Sequence, residues 1–229
     1  MVNILLSGGG GGNRGDVSLV KLLAKSIPEN GRSLYIPVAI SLTRSTFGQC
    51  YDWITSTNGR NSLTRIDMWA DLQNRSYEDL ARYSGVFIGG GNTFSLLKQV
   101  RESGFDRLLV KYITKGLPVF GGSAGAIILG RDIGTAYFGG DADKNEVGLK
   151  VLKELDVARG HSIACHHNDL KYDHFAAEYS ERTGIPTIAL GDSTGIQVKN
   201  HEILVIGPSS AKVFDGEKSS IFRKGAVLG

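Results

Sequence analysis

Short apolar runs that break into glycine-rich turns, with helical spacing beyond each turn, recur along this 229-residue chain. Residues 2–6 read as a buried strand running into a stretch of five glycines. Residues 85–88 do the same into Gly89-Gly90-Gly91-Asn92-Thr93, and residues 118–120 lead into Gly121-Gly122-Ser123-Ala124-Gly125. Runs this short and this apolar lack the alternation of a half-exposed strand, so both faces must be covered. The helical stretches at 16–26, 93–100, 106–115 and 124–129 supply the cover. Strands are also expected at 33–39, 63–68, 162–165 and 187–190, and a helix at 171–182 ending at Gly184. The apolar runs 196–198, 203–206 and 211–214 read as short antiparallel strands. The expected fold is therefore one α/β domain over 1–229. It has a mostly parallel sheet with helices on both faces, and antiparallel strands near the C-terminus. Glycine makes up 31 of the residues, but it gathers at strand ends, which marks tight turns rather than low complexity.

Charge and cysteine content narrow the function. A formal net charge of +3, with no lysine or arginine run, argues against a nucleic-acid partner. Cys50 and Cys165 are far apart and suggest no disulfide framework, as in a reducing compartment. The first residues carry no basic leader, and no segment has the apolar length of a membrane span. A cytoplasmic protein is expected, as a monomer or small homo-oligomer with no membrane partner.

In an open parallel sheet, ligands bind beyond the carboxyl ends of the strands, so the chemistry should gather at one edge. Gly121-Gly122-Ser123-Ala124-Gly125, between a strand and a helix, has the Gly-x-Ser-x-Gly form of a nucleophile elbow. Such a turn is sharp, and a side chain at either flanking glycine would collide with its neighbours. The helix beyond it aims free N–H groups at the site. Ser123 is the candidate nucleophile. The competing reading is a tight turn whose serine caps a helix. The Ala124 N–H and, from the second glycine turn, the Gly91 N–H are candidate oxyanion donors. In the simpler alternative that second turn only caps its helix through Asn92 or Thr93.

A serine base must sit on a strand-end loop. Of His161, His166, His167, His174 and His201, the adjacent pair His166 and His167 qualifies best. Adjacent side chains point in opposite directions, so one of the two is the base. Asp192 is the candidate carboxylate behind it, with Asp141 and Asp143 as competitors; each could instead be a loop aspartate capping a turn, the reading that suits Asp141 and Asp143 better. Cys165, His166, His167, Asp169, Asp173 and His174 match no zinc spacing, so no metal and no cofactor is expected.

Val86-Phe87-Ile88-Gly89-Gly90-Gly91-Asn92-Thr93-Phe94 and Gly122-Ser123-Ala124-Gly125-Ala126 together resemble the paired signatures of the peptidase E family of serine peptidases. That family includes aspartyl dipeptidase and is related to cyanophycinase. Cys165-His166-His167-Asn168-Asp169 is similar to the family's strand-end histidine segment, and the resemblance puts His167 at the base position. Ile188-Ala189-Leu190-Gly191-Asp192 resembles the segment that carries a glutamate in the family, with aspartate here. The resemblance implies a fold like the class I glutamine amidotransferase domain and cleavage of small peptides, with Ser123, His167 and Asp192 as catalytic residues. For dipeptides with an acidic first residue it implies a cation in the pocket. Arg14, Arg44, Arg131, Lys171 and Arg182 are available, with nothing to choose among them.

Three other readings compete. Gly10-x-Gly12-x-x-Gly15 fits a dinucleotide fingerprint, but it lies within a glycine run and no acidic residue ends the second strand. An α/β-hydrolase-type esterase would use His201 as base. A ligand-binding relative without catalysis would not need the Ser123, His167 and Asp192 set.

Overall fold

The structure, a computed structural model, describes residues 3–9, 14–40, 44–59, 65–139, 142–153 and 155–228. In chain order the elements begin with β1 (Asn3–Ser7), α1 (Arg14–Ser26), β2 (Ser33–Ile36), α2 (Arg44–Gly59), β3 (Ile66–Met68) and α3 (Tyr77–Leu80). Next come β4 (Gly85–Ile88), α4 (Thr93–Glu102), α5 (Phe105–Thr114), β5 (Val119–Gly122) and α6 (Ala124–Ile127). The rest is β6 (Ser162–Ala164), α7 (Asp173–Thr183), β7 (Thr187–Ala189), β8 (Gly195–Lys199), β9 (Glu202–Ile206), β10 (Ala211–Asp215), β11 (Lys218–Phe222) and β12 (Val227–Leu228).

The result is a mixed α/β fold built on a large sheet of order β12-β9-β8-β1-β5-β4-β2-β3. The five strands β1 to β5 run parallel, and β8, β9 and β12 add antiparallel pairs on the β1 side. The parallel strands sort their side chains by period two, as a pleated strand must. Ile4, Leu6, Leu34, Ile36, Val86, Ile88 and Val119 enter one core, with residues of α4 and α5 such as Leu97 and Leu109. Leu5, Tyr35, Phe87 and Phe120 enter the other, under Leu19 and Leu23 of α1 and Ile54 of α2. Both faces are therefore buried, which is why these strands read as continuous apolar runs.

Two features depart from the sequence reading. The late strands do not all join one sheet: β6 and β7 pair in parallel and combine with β10 and β11 in a second sheet of order β11-β10-β7-β6. Helix α2 also falls where no element was expected. Its Thr, Tyr, Trp, Asn and Gly content is poor for a helix. Tertiary packing overrides that preference, because Cys50, Trp53 and Ile54 share a face at helical spacing and cover Tyr35 and Phe87. The Gly10-x-Gly12 part of the glycine run lies outside the described residues. No helix among the described residues is long and apolar enough to cross a membrane.

Candidate active site

Ser123 sits between the end of β5 and the start of α6 with φ 51° and ψ −117°. A non-glycine residue in such a conformation costs about 1–3 kcal/mol and survives only where its surroundings impose it. Here the Ser123 N–H donates to the Ser7 carbonyl of β1 at 3.1 Å, and its own carbonyl accepts from Ala126 and Ile127 N–H. The flanking glycines are required by space. A Cβ on Gly125 would lie 2.3 Å from the Ile88 carbonyl oxygen, and one on Gly121 would lie 2.5 Å from the Gly125 carbonyl oxygen.

The imidazole that reaches Ser123 belongs to His166. Its Nε2 is 2.7 Å from Ser123 Oγ. Its Nδ1 is 2.7 Å from Asp192 Oδ1. This replaces His167, which the sequence resemblance put in that position. His167 turns the other way. Its Nε2 is 2.8 Å from Asp173 Oδ1, and its ring packs edge-on to Phe214. The physical reason is local: His166 has φ 55°, in the left-handed region. Its N–H is held by the Gly8 carbonyl, and the next N–H by the Leu190 carbonyl, which rotates the His166 ring toward β5. The expectation that the two histidines diverge holds, but the strand parity that decides which one faces Ser123 is set by that backbone angle.

Asp192, the candidate carboxylate, lies on His166 rather than His167, and a residue that sequence reasoning missed holds it there. Asn168 Nδ2 donates to Asp192 Oδ2 at 2.8 Å, while the Asp192 N–H donates to Asn168 Oδ1 at 2.9 Å. The two carboxylate oxygens are thus divided, one to the imidazole and one to the amide. An Asn two residues after a candidate base histidine was the available signal. Asp143 is not on the imidazole. Its Oδ2 accepts the Thr93 N–H at the start of α4 at 2.8 Å. Asp141 lies outside the described residues.

Gly91 has φ 132° and sits against the Ala39 carbonyl, where a Cβ would come within 2.5 Å of the oxygen. Asn92 caps α4 by accepting the Ser95 N–H at 2.9 Å, so the second glycine turn does contain the helix cap. Neither the Gly91 nor the Ala124 N–H has an acceptor among the described residues. Gly91, Ser123 and His166 together border two cavities. One, of about 440 Å³, is walled by Tyr35, Ile40, Cys50 and Trp53. The other, of about 310 Å³, is walled by Ile127, Thr135, Phe138, Cys165 and Asp143.

The remaining titratable groups are placed elsewhere. His201 turns the β8–β9 hairpin at the end of the sheet opposite Ser123, since Asn3 pairs with Lys199 and Ser7 with Gly195. His174 packs at a tilt against Phe175. His161 Nδ1 is 3.0 Å from the Ala158 carbonyl. Among the described residues no group of three or more His, Cys, Asp or Glu side chains converges in the way a metal site needs. Neither cavity is lined by Arg131, Lys171 or Arg182, and the side chains of Arg14 and Arg44 lie outside the described residues.

His167, Asp173 and Lys212 form a support beneath the site. Asp173 Oδ2 accepts from the Lys212 ammonium of β10, and Oδ1 pairs with His167. Burial works against the charge on Asp173, but the Lys212 and His167 contacts outweigh it and hold the carboxyl below the ordinary carboxylate range. A depressed folded value stabilises the protein above the unfolded pKa of about 3.9. That contribution disappears as pH falls through the lower folded value. Wild type is therefore expected to melt above Asp173→Asn at pH 7. The gap between their melting temperatures should narrow only below about pH 4. A gap that stays constant from pH 7 to pH 2 contradicts this account.

A hydroxyl on a strained strand–helix turn, an imidazole in contact with it, a carboxylate behind the imidazole and two N–H groups alongside form the arrangement by which serine hydrolases activate a hydroxyl. The comparisons with known proteins narrow the class. The sequence profile described as "Peptidase family S51" matches residues 4–206, and the chain belongs to that family.

Among curated relatives, it is 25% identical over 60% of its length to a probable alpha-aspartyl dipeptidase of Drosophila melanogaster. It is 27% identical over 59% of its length to peptidase E of Salmonella typhi. It is 30% identical over 53% of its length to an uncharacterized peptidase of Listeria monocytogenes. In each case the match spans only about 55–61% of the relative's own length. Among solved structures, a peptidase from an acI-B1 Actinobacterium superposes with a TM-score of 0.77, covering 100% of this chain and 97% of that one at 13% identity. A putative peptidase E from Listeria monocytogenes gives a TM-score of 0.66, covering 91% and 100% at 19% identity. At these identities the structural likeness speaks to the fold.

Proposed function

We propose that this chain hydrolyses small peptides by acyl transfer, with Ser123 as nucleophile, His166 as general base and then acid, and Asp192 orienting the imidazole. One observation carries the reading: the continuous contact from Ser123 Oγ through His166 to Asp192, with both links at 2.7 Å. Ser123 Oγ attacks the peptide carbonyl while its proton passes to His166 Nε2. Asp192 keeps the proton of Nδ1 on its own side of the ring, so that Nε2 is the free acceptor. The carbonyl oxygen gains charge and is met by the Gly91 and Ala124 N–H groups. Collapse of the tetrahedral species breaks the C–N bond, and His166 delivers its proton to the leaving amine. Water then repeats the sequence on the acyl-enzyme and restores Ser123. Oxyanion donors of this kind are worth about 3–4 kcal/mol each.

Asp143 supports a free amino terminus on the substrate. Asp143 lines the smaller cavity beside Ser123, in a wall with no other carboxylate and no Lys or Arg among the described residues. A carboxylate there favours an ammonium and disfavours a second carboxylate. The acidic first residue implied by the resemblance is therefore not what this cavity favours.

The test pairs fluorophosphonate labelling with a dipeptide panel. Wild type should label, and Ser123→Ala should not. Unblocked dipeptides should be cleaved, while their N-acetyl forms lose most of their kcat/KM. Absence of both labelling and hydrolysis in folded wild type would end the peptidase reading. Equal cleavage of free and acetylated substrates would leave the nucleophile in place but remove the role of Asp143.

A further inference from the structure

The larger cavity beside Ser123 has a wall of a different kind. Tyr35 and Trp53 both stack on Phe87, with ring centroids 5.1 and 5.9 Å apart and interplanar angles of 23° and 24°. Phe87 in turn packs on Phe120 at 4.4 Å. These rings fix one side of the cavity as a rigid aromatic surface anchored in the core, and Ile40 and Cys50 extend its apolar lining. Its volume, about 440 Å³, lies in the range of pockets that enclose small ligands. Tyr35 and Cys50 of this wall are neutral at physiological pH. Burial, and secondarily the neighbouring Cys50, push the Tyr35 phenol above its ordinary range. Burial likewise pushes the Cys50 thiol up.

The polar side chains among the described lining residues are Thr46 and Gln49, besides Ser123 and His166 at the junction, and no Lys or Arg stands among them to pair with a carboxylate side chain leaving water. An aromatic or large aliphatic side chain would gain offset stacking and apolar contact. The two cavities meet at Ser123, so a peptide bond held over its Oγ puts one residue in each. With the ammonium end beside Asp143, the residue that leaves lies on the Trp53 side.

We propose that the cavity walled by Tyr35, Ile40, Cys50 and Trp53 is the subsite for the second residue of a dipeptide, and that it selects aromatic and large apolar side chains. The proposal rests on the peptidase reading for its orientation, but binding tests it without any turnover. Ser123→Ala cannot cleave, so dissociation constants can be measured by calorimetry for Ala-Phe, Ala-Leu, Ala-Ala, Ala-Asp and Phe-Ala.

Ala-Phe and Ala-Leu should bind at least about tenfold tighter than Ala-Ala, the discrimination that hydrophobic pockets give for added methylenes, and Ala-Asp weakest. Trp53→Ala in the same background should reduce the Ala-Phe advantage to about twofold or less. Because loss of an indole stacked on Phe87 can loosen α2, Ile40→Ala serves as the second variant. It trims the same wall from a loop and should cut the same advantage by severalfold. Three results would overturn the proposal: equal affinity for Ala-Phe and Ala-Ala, tightest binding of Ala-Asp, or a preference for Phe-Ala over Ala-Phe. Failure of wild type to label with a fluorophosphonate would count against the peptidase reading instead, so the two failures are separable.

Discussion

His166→Ala should lower kcat/KM by about 10⁴-fold or more, and His167→Ala by less than about tenfold. The two substitutions remove the same chemical group from adjacent positions, so composition and local charge are matched. They differ in what each ring touches. His166 Nε2 is 2.7 Å from Ser123 Oγ, and without it no other imidazole or carboxylate among the described residues is placed to take the proton. His167 is tied to Asp173 and packed against Phe214, away from Ser123. Its loss leaves Asp173 partly buried with Lys212 alone, a change expected to cost about 1–3 kcal/mol of stability. Activity of the folded His167→Ala enzyme should therefore persist while its melting temperature falls. Steady-state kinetics and thermal melts on both variants decide the matter. A catalytic collapse in His167→Ala with an active His166→Ala would restore the assignment drawn from sequence.

Gly8→Ala should damage both fold and activity, although Gly8 has no side chain and touches no substrate group. Gly8 is where the two sheets are joined. Its N–H donates to the Thr194 carbonyl at 2.9 Å, and its carbonyl accepts the His166 N–H at 3.0 Å. A Cβ here would stand 2.4 Å from the Leu190 carbonyl oxygen and 2.5 Å from that of Gly191. Both obstacles are backbone, so neither can rotate away. The segment 190–192 must move, and Asp192 moves with it.

Forced overpacking of this kind typically costs about 1–3 kcal/mol, or a melting-temperature drop of roughly 3–10 °C for a chain of this size. A displacement near 1 Å between reacting groups can cost about 100-fold in rate. Gly48→Ala is the control. It lies within α2, a Cβ there meets nothing within 4 Å, and alanine favours the helix by up to about 1 kcal/mol. If Gly8→Ala behaves like Gly48→Ala, the close approach at Gly8 is not what holds the two sheets in register.

Much of this was legible in the sequence because it depends on patterns within one element. The apolar runs of β1, β4 and β5 are continuous because a parallel strand covered on both faces leaves no exposed side to mark. The elbow at Ser123 could be read because its two flanking glycines answer to close backbone contacts, and no other residue type fits there. Asp192 could be read because it ends a strand beside the histidine segment. Helix α2 was hidden, since its residues have weak helical preference and only the aromatic surface of Tyr35 and Phe87 holds them in place.

The sequence by itself determined the strand–turn–helix order and marked the Ser123 turn and Asp192 as candidates, because each follows from local sterics and periodicity. The choice of His166 over His167, the amide of Asn168 on Asp192 and the two cavities that meet at Ser123 were decided only by the tertiary structure. The reason is that the site spans two sheets. Ser123 comes from the large sheet, His166 and Asp192 follow β6 and β7 of the small one, and the left-handed backbone at His166 is imposed by hydrogen bonds between them. An angle fixed by contacts more than 150 residues apart in the chain, from Gly8 to His166, leaves no local pattern to read.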